Sequence, residues 1–402
     1  MVPHKLKPKL DALRPRLHVA LPLATVLLLI EFFDELAFTI EGAALPVLRS
    51  DLALSYTQIG LLLGAAAVSA GLIEPFIMLL GDTRWRQALI LGGGLAVGGT
   101  FGGIAIAWGF PPLLVAFALG SPASGAFVTL SQATLMDLNP GRQPQAMARW
   151  SLAGSLGSLV GPLMLAAVLF VGASWRWAFA AIAVAALLLV VLLGSRRFPT
   201  DMPNHRHANA ASLLKGLWHA VTDPALLRWF VLLELSDMLL DRFSMYVPLY
   251  FTDVVGVSAA QASLVAALLM LSGLAGDFLT VRMLERIPGR SLVRISAALV
   301  AGLYALWLWL PGLPAKLILL VVIGVGRLGW YAVLQGEAYA TRPGSSGTVM
   351  AVNALSAFAA GAVSAGLGYA AQHLGLGGAM WLLIIGPLAL TLLIPTSRTV
   401  IA

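Results

Sequence analysis

The sequence contains no cysteine and few charged residues. Without Cys among its 402 residues, the chain can form no disulfide, iron–sulfur cluster or thiolate metal site. Asp, Glu, Lys and Arg together account for 11% of the residues, whereas they make up about 25% of a soluble globular domain. Because 59% of the residues are hydrophobic, we expect lipid rather than water to be the main solvent of this chain.

Signals for nucleotide, metal and catalytic sites are also missing. The glycine-rich run LGGGLAVGGTFGG lacks the Lys-Ser or Lys-Thr pair of a phosphate-binding loop and is typical of close helix packing in membranes. The six His are not spaced as metal ligands, and no nucleophile is paired with a base. We therefore expect no cofactor and no enzymatic activity, with a membrane-embedded enzyme as the most remote alternative.

Apolar segments long enough to cross about 30 Å of hydrocarbon recur along the chain. The first follows a basic N-terminus, is too long for a signal peptide, and is expected to stay as a span. The twelve predicted spans cover residues 21–48, 56–80, 87–107, 112–137, 145–170, 175–194, 224–252, 258–284, 290–311, 314–338, 346–372 and 376–396.

The distribution of Lys and Arg predicts the orientation, because cytoplasmic loops are enriched in both. With the N-terminus inside, the outer ends receive only Arg49, Arg176 and Lys316, and nearly all other basic residues lie inside. We expect a multi-pass protein of the cell (inner) membrane with both termini in the cytoplasm. The net charge of +7 then reflects topology, and we expect no nucleic-acid partner.

The two halves of the sequence match at an offset of 203 residues. Chance matches would involve Leu and Ala, but this register pairs acids, Gln, Gly and Pro across five spans without a gap. The pairs include Glu31/Glu234, Asp34/Asp237, Ser55/Ser258, Gln58/Gln261, Glu74/Asp277, Pro111/Pro314, Gln132/Gln335 and Gly172/Gly375. We predict an all-α membrane protein of two six-helix bundles, residues 1–195 and 223–402, joined by a cytoplasmic linker at 196–222. Such repeats are typical of secondary transporters, whose substrate site lies near the membrane midplane between the repeats.

Twelve spans in a 6+6 repeat with both ends inside resemble the major facilitator superfamily over nearly the whole chain. The loop GDTRWRQALI resembles the signature of that superfamily through Asp82 and Arg86, with Met78 and Trp85 where the superfamily usually has Gly. The resemblance implies two bundles that alternate in access around a central cavity.

The fifth span also resembles a subgroup of this superfamily, the proton-linked exporters. GSLGSLVGP matches their glycine-rich motif through Gly157, Gly161 and Pro162, and departs from it at Leu165 and Ala166. The Arg motif of their fourth span is absent from FALGSPASGAFVTL.

Two predicted spans carry acidic side chains on one helical face. The positions are i, i+3, i+4 and i+10 in span one and i, i+3 and i+7 in span seven. An acid at the bilayer centre costs roughly 2.5–3.5 kcal/mol, so these side chains must meet water or partners. The resemblance implies that both spans line the central cavity. The acids are Glu31, Asp34, Glu35, Glu41, Glu234, Asp237 and Asp241.

Arg327 is a cation inside predicted span ten, and its repeat mate is Ser124. Arg327 either holds an anionic substrate group or neutralises Glu234 and Asp237. For the acids of both spans, the alternative to a cavity function is that some of them pair with Arg242 or Arg327 and lock the halves together.

We group the candidate residues into two sets. The predicted substrate and proton-coupling cavity comprises Glu31, Asp34, Glu35, Glu234, Asp237, Asp241, Arg327, Gln132, Gln335 and Tyr331. The predicted cytoplasmic gate comprises Glu74, Asp82, Arg86, Asp277, Glu285, Arg290 and Glu337. A gating or structural role is an equal alternative for Glu41 and Asp241, and proton handling is the alternative for Glu74 and Asp277. Trp307 and Trp309 are interpreted as part of an interfacial aromatic belt.

The sequence favours a proton-coupled transporter that exports a small amphiphilic or cationic compound by antiport. A carboxyl group shielded from water favours its protonated form, and an approaching Arg favours the ionised form, so movement can switch proton affinity. The alternatives are a proton- or sodium-coupled uptake symporter for a sugar or metabolite, and a lysolipid or lipid flippase. We expect a monomer whose partners are a small-molecule substrate and the lipid bilayer.

Overall fold

The computed structural model describes residues 21–81, 83–139, 142–196, 222–341 and 346–395, and these residues are predominantly helical. We number the α-helices in chain order. They are α1 Leu23–Asp51, α2 Tyr56–Gly81, α3 Arg86–Ala105, α4 Phe110–Ser124, α5 Leu130–Asp137, α6 Gln143–Phe170, α7 Trp175–Gly194, α8 Pro224–Asp237, α9 Phe243–Tyr250, α10 Ala259–Leu284, α11 Gly289–Trp309, α12 Leu313–Gly326, α13 Trp330–Ala340, α14 Ser346–Met380 and α15 Ile385–Leu393.

Several helices continue through irregular segments. A π-helical segment at Gly125–Thr129 joins α4 to α5, another at Met238–Arg242 joins α8 to α9, and a third at Phe251–Val255 follows α9. A short 3₁₀ segment, Trp381–Ile384, joins α14 to α15. Such π segments widen the helix by one residue per turn and leave main-chain carbonyls with altered partners.

Nine helical stretches within the described ranges are long and apolar enough to cross a membrane. The last of them, Ser356–Leu393, has 38 residues, which is close to twice the length of one span, and it bends at Gly375. Neither α1 nor the run of α8 and α9 is among the nine, because charged side chains interrupt the apolar sequence of both. The count of twelve spans stays a prediction.

The helix starts and turns follow the 203-residue offset. Ser55 and Gln58 exchange side-chain and main-chain hydrogen bonds at the start of α2, and Ser258 and Gln261 do the same at the start of α10. This capping box satisfies main-chain N–H groups that the first turn leaves unpaired. Gly172 and Gly375, also repeat mates, both adopt positive φ angles, 72° and 74°. Equivalent residues therefore begin and end helices in the same way in both halves.

The two halves pack together along three helix pairs, α2 with α14, α6 with α10 and α1 with α9. The α2–α14 contact depends on small residues, since a Cβ atom on Gly60 would lie only 2.7 Å from the Cα of Gly368. Close backbone approach of this kind is the usual way in which helices associate in lipid.

The aromatic side chains of the second half form a buried cluster. Trp307 has no exposed surface and packs against Tyr250, Tyr304 and Phe243. The Nζ atom of Lys316 donates hydrogen bonds to the Tyr250 hydroxyl at 2.8 Å and to the Trp307 carbonyl at 2.7 Å. The interpretation of Trp307 as an interfacial residue is therefore wrong, because its indole fills the centre of this cluster, whereas Trp309 is 75% exposed.

Candidate functional site

The acids of α1 bind hydroxyl groups on neighbouring helices. Ser124 Oγ, at the end of α4, donates to Asp34 Oδ1 at 2.6 Å, and Ser158 Oγ, on α6, donates to Glu35 Oε2 at 2.8 Å. Glu31 is buried and faces Gly154 of α6, where a Cβ atom would lie 2.6 Å from Glu31 Oε1. The span-one acids therefore point toward protein and not toward lipid, as their shared face predicts.

Two further carboxylates of the first half have no cationic partner. Glu74 of α2 packs against Gly125, beside the Ser124–Asp34 bond, and its charge acts on Asp34. Within the described residues, Glu41 forms no hydrogen bond or ion pair, and the charge that acts on it is that of another acid, Asp34. Together with Glu31, Asp34 and Glu35, these residues form an acidic group that no Lys or Arg in the described chain neutralises by a direct ion pair.

The acids of the second half lie among two arginines. Arg242 Nη2 donates to Glu234 Oε1 at 2.8 Å, and both side chains are almost fully buried. Asp237 lies beside this pair and senses the charges of Asp241 and Arg242. The Glu234–Arg242 pair joins two turns of one predicted span, so it is not a lock between the halves.

Arg327 lies at the break between α12 and α13 and reaches across to the π segment of the seventh span. Its Nη1 atom donates to the main-chain carbonyls of Leu239 at 2.5 Å and Leu240 at 3.3 Å. The acids whose charges act on it are Asp241 and Asp277. The structure therefore differs from the prediction that Arg327 neutralises Glu234 and Asp237. Glu234 has Arg242 as its partner, and Arg327 binds main-chain carbonyls of the following turn.

Two cavities lie between the halves at this level. The first, which we call the Glu41 cavity, has a volume of about 250 Å³ and combines acids with aromatic rings. Its principal lining residues are Asp34, Phe38, Glu41, Phe101, Phe117, Ser124, Asp241 and Arg242. The second, the Ser158 cavity, has a volume of about 220 Å³. Its principal lining residues are Glu35, Phe38, Ser158, Pro162, Asp241, Ser244, Met270 and Arg327.

Asp241 and Phe38 line both cavities, so one carboxylate from the second half and one ring from the first stand between them. Phe38 is 46% exposed, because it borders open space instead of packing into a helix interface. Asp241 senses the charges of both Arg242 and Arg327. This position makes Asp241 the carboxylate that connects the two cavities.

The structure brings together only part of the predicted cavity set. Asp34, Glu35, Asp241 and Arg327 line the two cavities, while Glu31, Glu234 and Asp237 line neither.

Three other predicted cavity residues line neither cavity. Gln132 contacts the sulfur of Met147 at 3.5 Å, Gln335 has a buried amide oxygen without a hydrogen-bond donor in the described chain, and Tyr331 is 57% exposed. Sequence reasoning did not find Phe38, Phe117 or Ser158, although Phe38 is one turn from Asp34 on the same face.

The polar contacts between the halves cluster at one end of the molecule. Arg49 pairs with Asp253 at 2.9 Å and stacks over the ring of Tyr56, whose hydroxyl also donates to Asp253 at 2.7 Å. The main-chain N–H of Tyr56 donates to Gln372 at 3.0 Å. We call these four residues the Arg49 lock. It connects α1 and α2 to the segment after α9 and to α14, at the end that the charge distribution predicts to be outside.

Three of the predicted gate residues, Arg86, Arg290 and Glu337, form ion pairs within their own half. Arg86 pairs with Asp137 at 2.5 Å, and Arg290 binds Glu337 through two hydrogen bonds of 2.7 and 2.5 Å. Each pair ties the start of one predicted span to the end of the next span in the same bundle, α3 to α5 and α11 to α13.

The other predicted gate residues are placed differently. Glu285 is exposed at the end of α10, and Asp82 lies outside the described residues. Glu74 and Asp277 belong to the predicted gate, which would place them against the charged cytoplasmic loops. Instead, Glu74 faces Asp34, and Asp277 senses the charge of Arg327. The gating role of the set stays a prediction.

The sequence model of the Major Facilitator Superfamily matches residues 27–366, which is most of the chain. This chain belongs to the Major Facilitator Superfamily. It is therefore an integral, multi-pass membrane transporter of small molecules and not an enzyme, and the predicted all-α superfamily fold is confirmed.

Individual proteins resemble the chain over most of its length. The fosmidomycin resistance protein of Escherichia coli (strain K12) is 24% identical over 339 residues, or 82% of each chain. A crystal structure of a mutant nucleoside transporter NupG has a TM-score of 0.76 at 13% identity and covers 92% of this chain and 98% of that one. An inward-facing, unoccupied bacterial homologue of the human lysosomal transporter Spinster has a TM-score of 0.76 at 16% identity, covering 92% and 95%. The two structures show the fold alone.

Proposed function

We propose that this chain is a proton-coupled antiporter that exports a small cationic or amphiphilic compound by alternating access. The observation that carries the proposal is the Glu41 cavity, where Asp34 and Glu41 from the first half meet Asp241 from the second. A site built from both halves changes shape when the halves move, as alternating access requires.

The charges of the Glu41 cavity favour a cation. Asp34, Glu41 and Asp241 are three potential negative charges, while Arg242 is already paired with Glu234. The rings of Phe38, Phe101 and Phe117 add apolar surface and faces that attract cations. The cavity of about 250 Å³ lies just below the usual range for drug-sized ligands, about 300–1,000 Å³, so it suits a small compound or one end of a larger one.

The same carboxylates also suit proton antiport. A carboxylate that has taken up a proton no longer attracts a cation, so a proton and a cationic substrate compete for one site. Asp34 is held by a hydroxyl group and Glu41 has no partner in the described chain, so neither is committed to a fixed cation. Competition of this kind exchanges the proton for the cationic substrate and requires no nucleotide hydrolysis.

The direction of transport is proposed from two supporting similarities. A resistance protein is among the similar proteins, at 24% identity, and resistance by a transporter is consistent with export. The fifth predicted span, α6, carries the partial exporter motif, and Ser158 and Pro162 within it line the Ser158 cavity. The excess of Lys and Arg in the predicted inner loops supports an inner-membrane location with cytoplasmic termini, which would make the locked end the outer one.

Proteoliposomes that contain a pH indicator dye test the proposal. We expect a gradient of a fixed-charge organic cation to drive protons in the opposite direction through the wild-type protein. A variant that combines Asp34→Asn with Asp241→Asn should not show this proton movement. Asp51→Asn, which removes a carboxylate outside both cavities, is the matched control and should behave as wild type. Proton movement driven by sugars instead of cations, or cation movement driven by sodium alone, would overturn the proposal.

A further inference from the structure

The helix that carries Asp241 also carries one half of the Arg49 lock. Asp241 lies in the π segment Met238–Arg242, and Asp253 lies in the π segment Phe251–Val255. Between them, α9 is a regular α-helix whose apolar side chains are almost all buried. The site and the lock are thus the two ends of one short rod, about 18 Å apart at 1.5 Å per residue.

The π segment at the Asp241 end is held from outside by Arg327. In a π segment the main-chain carbonyls do not keep the regular α-helical pattern, and Arg327 donates to two of them, those of Leu239 and Leu240. The side chain of Arg327 approaches Gly273 of α10 and senses the charge of Asp277 on the same helix. Arg327 thereby connects three spans at the point where the seventh changes its winding.

The electrostatic surroundings of Asp241 make its charge relevant to this contact. Both Arg242 and Arg327 attract it, while the other charges that interact with it are those of neighbouring acids. These acids are Glu35, Glu234 and Asp237. Neutralising Asp241, by a proton or by a bound cation, removes part of the attraction that keeps Arg327 against the π segment.

A change of winding at residues 238–242 would turn the following rod. Conversion of a π turn to an α turn shifts the register by one residue, which rotates the residues beyond it by about 100° around the axis. The end of the rod carries Asp253, which must face Arg49 and Tyr56 for the lock to stay closed. The lock is exposed and its ion pair is weak, so a displacement at its base can open it.

We propose that Arg327 is a positioning residue that holds the π segment of the seventh span, so that the charge on Asp241 controls the Arg49 lock through α9. This inference rests on the proposed function, because it describes how occupation of the Glu41 cavity opens the opposite end. It assigns Arg327 to conformational coupling, and its role is separate from substrate binding.

The absence of Cys from the chain permits a direct test by spin labelling. Val171 and Leu374 are repeat mates at the locked end, 79% and 66% exposed, and neither belongs to the lock. Labels on Val171→Cys and Leu374→Cys report the distance between the halves by double electron–electron resonance. The measurement uses the purified full-length protein and requires neither a substrate nor a gradient.

We expect Asp241→Asn to raise the population with separated labels at least about fivefold, the lower limit of a typical allosteric coupling. Arg327→Gln should act in the same direction, and Arg327→Lys should act less because it keeps the charge. Asp223→Asn is the matched control: it removes a carboxylate at the start of the same span and keeps the N-cap of α8. A purely structural role of Asp241 would lower the melting temperature without changing the distance.

An unchanged distance distribution in Asp241→Asn protein that is folded and as stable as wild type would overturn the inference, whatever Arg327→Gln does. The outcome is separable from the proposed function. Labels that separate on neutralisation in a protein without proton-driven transport would leave the coupling intact and end the antiport proposal. Proton-driven transport in a protein whose labels do not respond would leave the antiport proposal intact and end the coupling inference.

Discussion

Ser124 and Arg327 occupy equivalent positions in the two halves, yet they hold their acidic helices differently. Ser124 donates one hydrogen bond to the side chain of Asp34, while Arg327 donates two to main-chain carbonyls of the π segment in its own half, the second. Both stand at an irregular point of their helix, since a π segment begins after Ser124 and α12 ends just before Arg327. The two halves therefore share the position of the helix irregularity but differ in the side chain found there, a hydroxyl group in one half and a guanidinium group in the other.

This difference divides the work between the halves. A hydroxyl group serves a charged or a protonated carboxyl equally well, because it can both donate and accept, so Asp34 remains free to exchange its proton. A guanidinium group has only donors and a permanent charge, which suits a fixed structural contact. We infer that Asp34 and Glu41 of the first half exchange protons without a fixed cationic partner, whereas Asp241 of the second half lies near two arginines and its charge acts on the part that moves.

Removing the cation from the second half should have the largest effect. Arg327→Gln removes one of the two positive charges that act on Asp241 and the one that acts on Asp277, and it frees two carbonyls. We expect a loss of about 3 kcal/mol in the free energy of unfolding, the upper end of the range for leaving buried hydrogen-bond groups unsatisfied, because two carbonyls lose their donor at once. Thermal melts of the purified protein measure the change.

The partner of Arg327 is identified by rescue. Adding Asp241→Asn to Arg327→Gln should restore part of the stability, whereas adding Glu234→Gln should restore none, since Glu234 belongs to Arg242. If Glu234→Gln restored stability and Asp241→Asn did not, the acid that Arg327 compensates would be Glu234 and not Asp241.

Introducing the cation into the first half should be the next largest change. Ser124→Arg places a guanidinium beside Asp34, which would hold that carboxylate ionised and paired. We expect proton-driven transport to fall by more than about tenfold in proteoliposomes, which corresponds to about 1.4 kcal/mol at the limiting step. Ser124→Ala is the control and should keep most of the activity. Full activity of Ser124→Arg would break the proposed division between the halves.

The Glu234–Arg242 pair should contribute a smaller, purely structural effect. Glu234→Gln removes one partner of a nearly buried pair and should lower stability by roughly 1–3 kcal/mol, the cost of leaving a buried polar group poorly satisfied. A combined Glu234→Gln and Arg242→Gln variant should recover most of the loss in a thermal melt. If the double variant is as unstable as the sum of the single variants, the two side chains do not act as a pair.

The Arg49 lock should contribute least to stability. Its side chains are partly exposed, so Arg49→Gln should change the free energy of unfolding by less than about 1 kcal/mol. The same change should still shift the labelled halves apart, and exchanging the charges with Arg49→Asp and Asp253→Arg should bring them back. If the distance between the labels is the same as in the wild type in both variants, the lock has no role in the transport cycle.

The sequence predicted the repeat and the faces of its acidic helices, because both depend on local spacing. The capping boxes at Ser55 and Ser258 and the bends at Gly172 and Gly375 follow the predicted register. The acids of α1 point into protein for the reason that their position in an apolar helix implies.

Partners of the charged groups were not predictable in the same way. Glu234 and Arg242 are eight residues apart, and a regular α-helix would separate them by about 12 Å along the axis. The π segment that lies between them breaks the period on which face assignments depend, and the sequence carries no clear signal for it. The Arg49 lock was missed because Asp253 and its repeat mate, Ser50, differ in chemistry, so the repeat gave no indication of it.

The central claim is that protons and a cation compete for the carboxylates of the Glu41 cavity. The most direct measurement is proton release from weakly buffered, purified protein on addition of benzyltrimethylammonium, a small aromatic cation whose charge does not depend on pH. The account predicts release from the wild-type protein, weaker binding as the pH is lowered, and no release from a Glu41→Gln and Asp34→Asn double variant. Failure of the cation to bind, or binding without proton release at any pH, would contradict it.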